Sequence, residues 1–225
     1  MSRNFTIAPQ EFYHLYNRGT DKRKIFTRGV DYDRFLALLY LCNGTNPVNL
    51  REQGQSLAEV LENGVERGEL LIDICAYVLM PNHFHILARE VAEGGISEYM
   101  RKIGNGYTGY FNRRYDRSGT LFQGTYKARH ANKDVYLSHL LSYIHLNPVK
   151  LFEPTWKESG IVDRSGAENF LDRYKYSSYL DYCGNYRLES CIINRAAFPT
   201  EMKTPTDFKS SIKEWLKNKT EYTKV

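Results

Sequence analysis

In the segment PNHFHIL (81–87), His83 and His85 stand two residues apart inside an apolar run, in a chain that has six histidines. Side chains along a strand alternate between faces, so both imidazoles share one face while Phe84 and Ile86 take the other. Two neighbouring imidazoles form half of a divalent-metal site, which needs neutral rings and an acceptor for each outer N–H. The same pair also fits two hydrogen-bonded histidines on a half-wetted strand. A second cluster follows in 132–149, where Tyr136, His139, Leu140, Tyr143 and Asn147 recur at spacings of three and four, on one stripe of a helix. Tyr143 and Asn147 lie one turn apart. The Asn147 amide could reach a metal while the Tyr143 phenol meets a substrate bound to it. Alternatively, Tyr143 packs in the core and Asn147 caps the helix before Pro148. A phenol with a pKa of about 10 is a weak nucleophile, and a divalent cation would help chiefly by polarising the electrophile.

These residues need a frame. EFYHLYNRG (11–19) reads as an opening strand closed by a turn. DYDRFLALLYLCN (31–43) has helical spacing and an Asp start. ELLIDICAYVLM (69–80) is a hydrophobic strand, MPN a reversal, and HFHILARE (83–90) its antiparallel partner. GISEYMRKIGNGYTGYFNRRY (95–115) reads as a helix whose glycines at 104, 106 and 109 suggest close approach to backbone or ligand. RSGTLFQGTYKARHA (117–131) contains an extended basic-aromatic stretch, and 132–149 is a clear helix stopped by Pro148. Residues 150–195 read as an irregular tail, and 205–219 as one more amphipathic helix. Strands mixed with helices in this order fit a mixed α/β domain with an antiparallel sheet.

The 225 residues carry a net charge of +5, unevenly spread. Residues 100–133 hold eight Lys/Arg against Asp116 alone, so this window is +7 and the remainder about −2. Such a segment favours phosphate contacts. By contrast, 51–69 carries five glutamates against two arginines, an acidic insertion with a short helix expected around SLAEVLE, remote from a phosphate ligand. The eighteen tyrosines suit a surface that stacks on something, or an amphipathic core and its rim. The four cysteines form no C-x-x-C pair, so reduced thiols in a cytoplasmic protein are expected. No run reaches eighteen apolar residues and MSRNFTIAPQ (1–10) has no hydrophobic stretch, so neither membrane insertion nor secretion is expected.

With these segments in view, the chain resembles the single-tyrosine transposases with a His-hydrophobic-His motif, and specifically the REP-associated tyrosine transposases of bacteria. The resemblance rests on YHLYNRG (13–19), YVLMPNHFHIL (77–87), YTGYFNRRYDRSGTLFQGTYKARH (107–130), YLSHLLSYIHLNPVK (136–150) and YSSYLDY (176–182). It implies an α+β fold, a ferredoxin-like antiparallel sheet flanked by helices with an extra C-terminal helical tail. It also implies a catalytic domain over 1–185 with the acidic insertion at 45–68, followed by an extension over 186–225. On this resemblance His83 and His85 are metal ligands for Mg²⁺ or Mn²⁺, Asn147 stands where related enzymes commonly have a glutamine ligand, and Tyr143 is the nucleophile. Tyr107 and Tyr110 are the next candidates, expected rather to face DNA or to pack.

The activity so implied is cleavage and rejoining of single-stranded DNA at hairpin-forming (REP-like) repeats through a 5′-phosphotyrosine. Arg18, Arg113, Arg114, Arg117, Lys127 and Arg129 would hold backbone phosphates, with Tyr107, Tyr110 and Tyr126 against unpaired bases. His14 could stand behind the metal histidines or simply pack, with packing the expectation, and His130 is expected to lie near DNA. The expected location is cytoplasmic, associated with the bacterial nucleoid, and the protein would act as a monomer or homodimer. Rival readings are a catalytically silent hairpin-binding protein of the same fold, a replication-initiator-type nickase, and a metal-dependent hydrolase. The strands around PNHFH supply no carboxylate ligand or base for the last of these.

Overall fold

The computed structural model describes residues 6–47, 49, 52–199 and 204–217. Strand β1 (Phe12–Arg18) is followed by helices α1 (Gly29–Leu41) and α2 (Leu57–Glu62), then by β2 (Ile72–Met80), β3 (His83–Glu90), α3 (Gly95–Arg114) and β4 (Lys127–His130). The strands form one sheet in the order β2-β3-β1-β4, and every neighbouring pair is antiparallel. A β-α-β-β-α-β order in this arrangement is the ferredoxin-like fold expected from the sequence.

Local chemistry accounts for the frame. β2 and β3 are joined by the two-residue turn Pro81-Asn82, and all nine residues of β2 are buried. The outer edge of β2 is closed by chain from the far C-terminal half: Leu79 N–H donates to Tyr176 O at 2.9 Å and Tyr77 N–H to Ser178 Oγ at 2.9 Å. A strand without an exposed edge and with two covered faces can be continuously apolar. At the start of α3 the buried Glu90 carboxylate accepts from Gly94 N–H (2.9 Å) and Ile96 N–H (3.1 Å), satisfying donors that a helix leaves open. Gly95 is required there, because a Cβ would stand 2.3 Å from Leu71 O.

Two cores flank the sheet. On one face Tyr13, Leu15, Phe84, Ile86 and Ala88 pack with α1 and α3. On the other, Val78, Met80 and Leu87 pack under Leu137, Leu140, Leu141 and Ile144 of α4 (Asp134–Leu146). α4 ends at Leu146, just before Pro148, as expected, but the chain does not leave the helical path there. Pro148 sits in αR geometry, and after the break at 147–148 a separate short helix, α5 (Val149–Phe152), begins.

Nor is 150–195 irregular. It carries α6 (Trp156–Ser159), α7 (Arg164–Leu171), α8 (Tyr179–Tyr182) and 3₁₀ turns at Leu188–Ile192 and Arg195–Ala197. The element α9 (Pro205–Lys217) then buries Phe208, Ile212, Trp215 and Leu216 in the same core as α4. The expected helix at 205–219 runs past the described residues at its end. Short polar segments with glycines hid these helices, because their stability comes from packing rather than from a long periodic stripe. The short helix of the acidic segment is α2, capped by Ser56, with Leu57 and Val60 buried. It packs on α1, which places the sheet between this segment and the histidines.

Candidate active site

Strand register assembles the site. Across β1 and β3, Arg18 faces His83, Tyr16 faces His85 and His14 faces Leu87. Across β1 and β4, Tyr16 faces Lys127 and His14 faces Arg129. Paired residues project to the same side, so His14, Tyr16, Arg18, His83, His85, Lys127 and Arg129 share one face. This is the face that α4 covers.

His83 and His85 lie with ring centroids 5.1 Å apart and planes nearly perpendicular. The half-buried Tyr143 ring sits edge-on to His85 at 5.7 Å and to His14 at 6.3 Å. The expectation that Tyr143 shares the imidazoles' side of the sheet is therefore met. Burial pushes the Tyr143 phenol above its ordinary pKa, and the Asn147 side chain and the charges of Lys150 and Arg129 draw it partly back. Asn147 is buried at the end of α4, where its Nδ2 donates to Tyr143 O at 2.8 Å. That bond is a helix cap, so a metal could take only the amide oxygen.

The donor set fits a divalent cation as a nitrogen half-site. Each histidine commits Nδ1 to the protein: His83 to Asn82 Oδ1 at 2.6 Å, His85 to His14 Nε2 at 2.8 Å. Anchoring one ring nitrogen is what prepares the other for a metal. Among the described residues no cluster of three His, Cys, Asp or Glu accompanies the pair. Asn147 would then offer a neutral oxygen as a further donor, and the substrate another.

The remaining predicted residues separate into two groups. Arg18, Lys127 and Arg129 are exposed on the histidine face, with Arg18 Nε bonded to Gln123 and Arg129 near Tyr136. Tyr107, Tyr110, Arg113, Arg114, Arg117 and Tyr126 belong to the other side of the sheet or its end. Tyr107 is fully buried and donates to Ile25 O at 2.5 Å, so no base can stack on it. Tyr110 is tied to the buried carboxylate of Asp31 at 2.9 Å, with Arg114 at 3.8 Å from the same group. Arg113 is exposed, and Arg117 bonds Asn112 at 3.1 Å. Tyr126, close to Ser97 (3.2 Å between hydroxyls), rims a cleft of about 700 Å³ between α3 and the loop 119–126. A Cβ on Gly104 or Gly109 would meet nothing within 4 Å, so neither glycine answers to close backbone contact.

Sequence reasoning favoured packing for His14 over a place behind the histidine pair. His14 is not a packing residue alone: burial, with the charge of Arg129, lowers its pKa to about 3, and the neutral ring hydrogen-bonds His85. The signal was the alternation His14, Tyr16, Arg18 along β1, which puts three polar side chains on the face of the histidine pair. His130, expected near DNA, bonds Glu11 at 2.8 Å and stacks on Tyr13.

A family model described as "Transposase IS200 like" matches residues 12–147, which spans every one of these candidate residues. The chain belongs to the IS200-like transposases. A search of curated proteins gives no match. Among solved structures, this IS200-like transposase is similar to a REP-associated tyrosine transposase bound to a REP hairpin, with 16% identity, a TM-score of 0.50, and coverage of 84% of this chain and 89% of the other. At that identity the likeness speaks for the fold. A tRNA(His) guanylyltransferase from Saccharomyces cerevisiae covers 90% of the transposase and 87% of itself, at 12% identity and a TM-score of 0.31, which carries no argument. No helix among the described residues is long and apolar enough to cross a membrane.

Proposed function

We propose that this transposase cleaves and rejoins single-stranded DNA at hairpin-forming, REP-like elements, with Tyr143 as nucleophile. The observation that carries this reading is the placement of Tyr143. Its ring lies 5.7 Å from His85 on the face of both imidazoles, whereas Tyr107 is sealed in the opposite core and Tyr110 is tied to Asp31 there. The REP hairpin in the structural relative supports a hairpin partner for this chain.

The Tyr143 phenol loses its proton and attacks a backbone phosphorus. The P–O3′ bond breaks, the phosphate remains on Tyr143 as a 5′-phosphotyrosine, and the 3′ oxygen leaves and is protonated. A 3′-hydroxyl then attacks that phosphorus and releases the tyrosine, so joining needs neither water nor a nucleotide cofactor. Burial holds the phenol protonated until substrate arrives, while Asn147, Lys150 and Arg129 favour the anion. Mg²⁺ or Mn²⁺ held by His83, His85 and the Asn147 oxygen would supply charge neutralisation at the phosphate, with imidazole ligands suiting Mn²⁺ at least as well. Arg18, Lys127 and Arg129 surround the histidines and bind flanking phosphates. Histidines and tyrosine meet within one chain, which supports a monomer acting alone.

The test is incubation with hairpin-bearing single-stranded DNA and Mn²⁺ or Mg²⁺, followed by denaturing gels and peptide mapping. A covalent adduct on Tyr143 is expected, absent in Y143F and in the H83A/H85A double variant. An adduct on another tyrosine, or none with the hairpins tried, overturns the reading.

A further inference from the structure

The two histidines of the pair are oriented by different kinds of partner. Asn82 Nδ2 donates to Lys22 O at 3.1 Å, which fixes the amide so that Oδ1 faces His83. An amide oxygen only accepts, so His83 carries its proton on Nδ1 and its lone pair on Nε2. His85 has no such one-way partner at Nδ1. It meets another imidazole, and two tautomer pairs satisfy a contact of 2.8 Å between His14 Nε2 and His85 Nδ1.

In one, His14 donates from Nε2, and the proton of His85 sits on Nε2, where it blocks a metal. In the other, His85 donates from Nδ1 to a lone pair on His14 Nε2, and His85 Nε2 becomes a ligand. We propose that His14 is a positioning residue of the second kind, whose Nε2 accepts the Nδ1–H of His85 and so presents His85 Nε2 for metal binding. The inference rests on reading His83 and His85 as metal ligands.

Three observations favour this role over packing. His14 is 4% exposed, and a ring kept only for volume at such a site would be apolar. Its other nitrogen, Nδ1, carries the proton in this tautomer and is buried with no hydrogen-bond partner, so the ring accepts the cost of an open N–H to direct Nε2 at His85. Its ring is also held within 28° of the His85 plane, between Tyr16 at 4.9 Å and Tyr143 at 6.3 Å. Outer partners of this kind typically alter metal affinity by about 10- to 100-fold when lost.

The experiment compares the full chain with H14F, which keeps a ring but cannot accept, and H14Q, whose amide oxygen can. Mn²⁺ affinity is read by electron paramagnetic resonance without DNA, and thermal unfolding is recorded alongside. H14F should bind Mn²⁺ about 10- to 100-fold more weakly, with H14Q restoring most of the affinity. Equal Mn²⁺ affinity in wild type and folded H14F overturns the proposal, as does equal loss in both variants. Nitrogen-15 spectra of the wild-type imidazoles give a readout independent of either variant's folding. His85 protonated at Nδ1 in the Mg²⁺-loaded protein is expected, and protonation at Nε2 overturns the assignment. If wild type binds no Mn²⁺, the ligand reading of the histidine pair fails and this inference falls with it. If it binds Mn²⁺ but H14F matches it, only the role of His14 is lost.

Discussion

Arg18 lies directly opposite His83 in the β1–β3 register, so a guanidinium stands beside the first histidine of the pair. Arg129 occupies the equivalent position opposite His14. If both hold phosphates of a strand crossing this face, R18A and R129A should each weaken binding of hairpin-bearing single-stranded DNA. Each should also reduce the slope of log K against log salt by about 1. Fluorescence anisotropy at several salt concentrations checks this, and unchanged slopes would take both residues off the DNA path.

Tyr107 should matter for stability and not for DNA. Y107F removes a buried hydroxyl that donates to Ile25 O and should cost about 0.5–1.5 kcal/mol in denaturant unfolding. Its DNA affinity should equal that of wild type; a loss of affinity at unchanged stability would restore it as a contact residue.

Asn147 separates a cap from a ligand. Replacing it with alanine removes the bond to Tyr143 O and should destabilise the protein by about 0.5–1.5 kcal/mol. If the amide oxygen also binds metal, Mn²⁺ affinity should drop as well. A stability loss with unchanged Mn²⁺ affinity would confine Asn147 to capping.

Acid should destabilise the fold through His145. This ring is fully buried against Ser178 Oγ (2.8 Å), and burial lowers its pKa from 6.5 to about 3. Between those values the unfolded chain binds a proton that the folded chain does not. The sign follows: stability is lost as pH falls below 6.5, by up to about 1.4 kcal/mol per pH unit for this group. His14 acts in the same direction. Urea unfolding between pH 7 and pH 4 should show a shallower dependence in H145Q, and an equal slope in the two proteins would refute the assignment.

Two glycines near α3 should respond oppositely to alanine. At Gly104, inside the helix with open space around a Cβ, G104A should stabilise by about 0.5–1 kcal/mol. At Gly95 a Cβ would collide with Leu71 O, so G95A should destabilise. Thermal unfolding of the pair distinguishes a glycine kept for space from one that the helix can lose.

What the sequence determined by itself was alternation and periodicity. The MPN reversal implied a hairpin, period two put His83 and His85 on one side, and a spacing of four placed Tyr143 and Asn147 on one stripe. These are local consequences of backbone geometry, readable without knowing any neighbour. The α+β class followed from the order of such segments. The structure alone decided what faced what. Whether the stripe of α4 or the tyrosines of α3 covered the histidine face depends on which core each helix buries, a property of two distant segments together. The same holds for β1: His14 reads as an ordinary strand residue until antiparallel register sets that strand beside β3 and its imidazole against His85. The short helices between residues 149 and 182 were hidden for a related reason. They are too short to persist alone, and they exist because the open edge of β2 and the exposed side of α4 give them something to bury against.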